Sequence, residues 1–69
     1  MSTIRQGHTL LSPHHETICL TYEEALKRGY EADYGTRPDG GYWVEIYGCT
    51  LNVFSEILQA VEEQRNATG

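Results

Sequence analysis

The chain has 69 residues, five basic and ten acidic side chains, and a formal net charge of −5. That length supports one small domain with a modest core, and 39% hydrophobic with 22% charged residues fits a globular chain rather than a disordered one. The charge argues against direct binding to DNA or RNA phosphates and against an anionic membrane surface. It favours partners with basic surfaces.

Residues 1–15 offer few large apolar side chains, and Gly7 and Ser12-Pro13 interrupt any long element. A poorly ordered start is expected, with at most a short edge strand around Thr9 to Leu11. Glu16 to Leu20 alternates and reads as a strand, with Ile18 and Leu20 on one face. Thr21 and Glu24 have the spacing of a capping box, so a helix is expected over Tyr22 to Arg28, with Tyr22, Ala25 and Leu26 inward. Gly29 supplies its left-handed end.

Tyr30 to Tyr34 alternates aromatic or small residues with acids and reads as the second strand. A glycine-rich loop, Gly35 to Gly41, leads into the third, Tyr42 to Tyr47, which is aromatic and β-branched. Alternation puts Tyr42, Val44 and Ile46 on one face and Trp43, Glu45 and Tyr47 on the other. After Gly48, the residues Leu51, Phe54, Ile57, Leu58 and Val61 form an apolar stripe at helical spacing. The helix is capped by Thr50 or Asn52 and expected to reach about Gln64, with Asn66 to Gly69 fraying. Arg65 near its end is placed to reach Glu62.

The expected architecture is a single α+β domain, β-α-β-β-α, with a small three-stranded, largely antiparallel sheet and two helices packed on one face. Its other face carries Glu31, Asp33, Trp43, Glu45 and Tyr47.

Candidate chemistry is sparse. His14-His15-Glu16, with His8 and Cys19 nearby, contains metal-ligating types. Zinc needs about four converging ligands, and no paired CxxC or HxxxH spacing supplies them. Cys49 lies between a strand and an apolar helix, where a small buried hydrophobe is the simpler reading than a thiol nucleophile. The loop 35–41 lacks the GK[ST] ending of a phosphate loop. No catalytic residue, cofactor or metal is assigned. A small metal- or thiol-dependent enzyme is the alternative class.

The acidic surface carries more information. Glu31, Asp33, Glu45, Glu56, Glu62 and Glu63 mostly lack local basic neighbours in the sequence. On one sheet face, neighbouring strands are about 4.8 Å apart and same-face residues about 6.7 Å apart. Carboxylates so spaced mimic a nucleic-acid backbone in sign and pitch. Trp43 and Tyr47 add side chains of the kind found in binding hot spots. The competing reading is an acidic surface kept charged for solubility.

In length, acidity and lack of enzyme motifs the whole chain resembles the small anti-CRISPR proteins of phages and mobile elements. Several of these act as nucleic-acid mimics. The resemblance implies an inhibitor that blocks target DNA binding by a CRISPR effector complex. Separately, Asp39-Gly40-Gly41-Tyr42-Trp43-Val44-Glu45-Ile46 followed by Gly48-Cys49 is similar to the DGGY…V…GC stretch of HicB-type antitoxins. Thr21-Tyr22-Glu23-Glu24-Ala25-Leu26 resembles their T-x-EEAL helix start, although here it precedes the hairpin. That similarity implies an antitoxin covering an RNase toxin. Both imply a protein partner with a basic nucleic-acid-binding surface, no direct nucleic acid, no membrane, and a monomer or weak homodimer. With two cysteines and no apolar leader in the sequence, a cytoplasmic location is expected, in the host cell if phage-encoded.

Overall fold

The computed structural model describes residues 7–68. Five elements follow in the order β1 (Gly7–Ser12), α1 (His15–Lys27), β2 (Glu31–Thr36), β3 (Tyr42–Tyr47) and α2 (Leu51–Thr68). The expected α+β class and β-α-β-β-α order are found, but the first strand and the first helix are not where the sequence placed them. β1 supplies the first strand, and the segment Glu16 to Leu20 lies inside α1.

The reason is periodicity. Five alternating residues fit a strand or a helix equally well. Extended to Ala25, the buried positions are Ile18, Thr21 and Ala25, all fully inaccessible and at helical spacing. Thr21 is therefore not a cap but a mid-helix core residue. Its hydroxyl donates to the Thr17 carbonyl at 2.7 Å, which satisfies the buried oxygen. Leu26, expected inward, is 45% exposed. The helix begins after His14, whose N–H donates to the Ser12 hydroxyl at 3.1 Å. It ends as expected at Gly29, with φ +91°. There the Gly29 N–H reaches the Leu26 carbonyl and the Tyr30 N–H reaches that of Ala25, the double closure of a Schellman end.

The sheet order is β1-β3-β2, and both pairings are antiparallel. β1 and β2 consequently run parallel to each other, with α1 crossing between them and β3 inserted in the middle. This is a split β-α-β unit. The β2–β3 hairpin closes through a loop in which the Arg37 N–H donates to the Gly41 carbonyl at 2.8 Å and the Asp39 carboxylate accepts from the Gly41 N–H at 3.0 Å. Gly40 sits at φ +93°, a conformation that favours glycine.

Both helices cover the face that carries Leu10, Ala32, Val44 and Ile46. Ala25 from α1, Ile46 from β3, Cys49, and Phe54 and Ile57 from α2 make the buried cluster. His8 holds a sheet position on this side, its ring 5.3 Å from that of Phe54. Thr50 caps α2, accepting from the Val53 N–H at 3.2 Å. The helix runs on to Thr68, past the expected stop at Gln64, and Leu51 at the head of the predicted stripe is 63% exposed. No helix among the described residues is long and apolar enough to cross a membrane.

Candidate functional site

The sheet has a second face that no described helix covers. Strand register defines it as three rows across β1, β3 and β2: Gly7–Tyr47–Glu31, Thr9–Glu45–Asp33 and Leu11–Trp43–Gly35. None of these nine positions is basic. Five expected site residues, Glu31, Asp33, Trp43, Glu45 and Tyr47, meet here. Gly7, Thr9, Leu11 and Gly35 complete the face. The sequence reading missed Gly7, Thr9 and Leu11 because β1 was not recognised as a full strand, and Gly35 because the second strand was ended at Tyr34 and Gly35 given to the loop, whereas β2 runs on to Thr36. Leu11 is 53% exposed.

Two glycines shape the surface. A Cβ on Gly35 would lie 2.7 Å from the Trp43 indole nitrogen, and one on Gly7 would lie 2.5 Å from a Glu45 carboxylate oxygen. Trp43 therefore lies across β2, and Glu45 leans across β1. Both side chains lie low on the sheet, where larger neighbours would force them upright. The Tyr47 hydroxyl donates to Glu45 Oε1 at 3.1 Å, fixing the carboxylate.

Asp33 and Glu45 are direct cross-strand partners. Like charges so placed oppose folding. The lean of Glu45 toward Gly7 carries its carboxylate away from Asp33. Asp33 in turn accepts from the Tyr34 N–H at 2.8 Å. Hydrogen bonds orient both groups without neutralising either.

The remaining expected site residues, Glu56, Glu62 and Glu63, lie on α2 in the other layer and do not join this face. Glu56 has a basic neighbour the sequence did not suggest, Arg28 at 3.7 Å, which also holds Glu24 at 2.8 Å. Arg65 turns to α1 rather than to Glu62: it lies 3.5 Å from Glu16 and donates to the Thr17 hydroxyl at 2.7 Å.

Other reactive types sit elsewhere. Burial pushes the Cys49 thiol above its ordinary pKa, disfavouring the thiolate a nucleophile needs. Cys19 Sγ lies 3.4 Å from His15 Nε2, and the His15 ring stands edge-on to Tyr42. Among the described residues, no group of three or more His, Cys, Asp or Glu is arranged to hold a metal ion. The open face can thus offer directed negative charge and flat aromatic surface. The chain matches no protein-family model, no curated protein and no solved structure.

Proposed function

We propose that this chain is a non-catalytic acidic inhibitor whose open sheet face occupies a basic nucleic-acid-binding surface on another protein. In this reading it acts as a DNA mimic, as in the anti-CRISPR proteins it resembles, and blocks target DNA binding by a CRISPR effector. The observation that carries the reading is the directly opposed Asp33 and Glu45 on a face whose nine described positions include no basic residue. A folded domain gains nothing from that repulsion, but a cationic groove would relieve it on binding. Glu31 extends the charge along β2. Trp43, Tyr47 and Leu11 add apolar contact of the kind that anchors interfaces.

The test is affinity capture from host lysate by the wild-type chain and by a variant carrying Glu31→Gln, Asp33→Asn and Glu45→Gln, with bound proteins identified by mass spectrometry. A nucleic-acid-binding protein retained by the wild type and lost by the variant is expected, and its retention weakens steeply with salt. Equal capture by the variant would remove the sheet face as the site. A captured RNase toxin would instead place the chain with the HicB-like antitoxins, on the same electrostatic principle.

A further inference from the structure

β1 is an edge strand, and among the described residues no strand pairs with its outer side. Its sequence, Gly-His-Thr-Leu-Leu-Ser, is the only one of the five elements without an acidic residue. Natural edges are commonly protected by charge, and β2 at the opposite edge carries Glu31 and Asp33. Beside β1 runs a groove of about 250 Å³ lined by Leu10, Leu11, Leu58 and Val61 together with the oppositely charged Glu62 and Arg65.

We propose that β1 pairs antiparallel with β1 of a second copy, joining two sheets into one of six strands. The occupant follows from charge. Two chains of net charge −5 repel over most of their surfaces, and a strand that carries no acid of its own is where they approach at least cost. A two-fold axis through the edge makes the contact self-complementary. Directly opposed residues of an antiparallel pair share a sheet face, so keeping the two acidic faces on the same side puts the axis at a residue, and the longest overlap within Gly7–Ser12 places it at Thr9 or Leu10. An axis at Thr9 sets Gly7 against Leu11 and His8 against Leu10. An axis at Leu10 sets Thr9 against Leu11 and His8 against Ser12. Neither register brings acids into direct opposition, and both cover part of the exposed Leu11. The pairing would present two copies of the acidic face as one continuous surface.

The experiment is sedimentation velocity on the full chain over a concentration series, with hydrogen exchange of the β1 amides at the low and high ends. A dimer that grows with concentration is expected, with β1 amides slowing in step. Leu11→Glu, an exposed substitution, adds a carboxylate to each side of the seam. It is expected to weaken the dimer by roughly tenfold or more with an unchanged circular dichroism spectrum. A monomer at every concentration overturns the proposal. So does a dimer whose formation leaves β1 exchange unchanged, or β1 protection already complete in a monomer. The exchange measurement decides even if the variant fails to fold.

Discussion

Replacing Glu45 by Gln should make the domain more stable while weakening its hold on a basic partner. Gln keeps the length of the side chain and the oxygen that accepts from Tyr47, and it removes the charge that faces Asp33 across the β2–β3 pairing. Opposed Cβ atoms are about 5 Å apart. Two carboxylates about 6 Å apart in water repel by about 0.7 kcal/mol, and salt reduces this. The lean of Glu45 toward Gly7 lowers it further, so about 0.5 kcal/mol is a reasonable gain, within the range for cross-strand pairs. In a domain of this size that raises the melting temperature by about 2–4 °C. Thermal melts followed by circular dichroism at low salt measure it. A double-mutant cycle with Asp33→Asn isolates the pair, and the gain is expected to vanish in about 1 M salt, where charges are screened within about 3 Å. A melting temperature that falls, or a gain that persists in high salt, would refute the idea that these two carboxylates repel.

Gly35→Ala is expected to lift the indole off β2, because the new Cβ would meet its nitrogen at 2.7 Å. Trp43 is the sole tryptophan, so its fluorescence should shift to the red, and an unchanged spectrum would place the ring elsewhere. Ile57→Ala empties a fully buried site at a cost of about 2–5 kcal/mol, a large share of what so small a core supplies. The melting temperature should drop by roughly 10 °C or more. Cys49 predicts a loss of stability in alkali. The unfolded thiol ionises near its ordinary value of 9.0, whereas burial keeps the folded one protonated above it. The unfolded state then binds fewer protons and stability falls as pH rises through that range, having been fully present below it. Cys49→Ala should flatten this part of the pH profile relative to the wild type.

The centre of the candidate face was readable because β3 states its structure twice. Aromatic and β-branched residues favour a strand, and alternation separates Val44 and Ile46 from Trp43, Glu45 and Tyr47. The same alternation in β2 put Glu31 and Asp33 opposite Ala32 and Tyr34. β1 was obscured because Gly7, His8 and Thr9 say little on their own. They become a strand by pairing with β3, a long-range contact. α1 was obscured by Thr21, a polar residue in an inward position, which interrupts the apolar period that Ile18 and Ala25 would otherwise reveal. The hydroxyl bond to Thr17 makes that position tolerable, and no local pattern announces it. Exposure of Glu56, Glu62 and Glu63 was legible from helical spacing, and so was their place in the helix layer, apart from the acidic sheet face. The Arg28–Glu56 pair was not, because it depends on how α2 meets α1.

Mutual exclusion between this chain and DNA tests the mimicry most directly. With the captured partner purified, labelled duplex DNA carrying the partner's binding sequence is titrated against the complex, and the species are separated by native electrophoresis. Competition for one cationic groove predicts that DNA displaces the chain in proportion to its concentration, with no complex containing all three components. A stable ternary complex, with both the chain and the DNA retained on the partner, would contradict it.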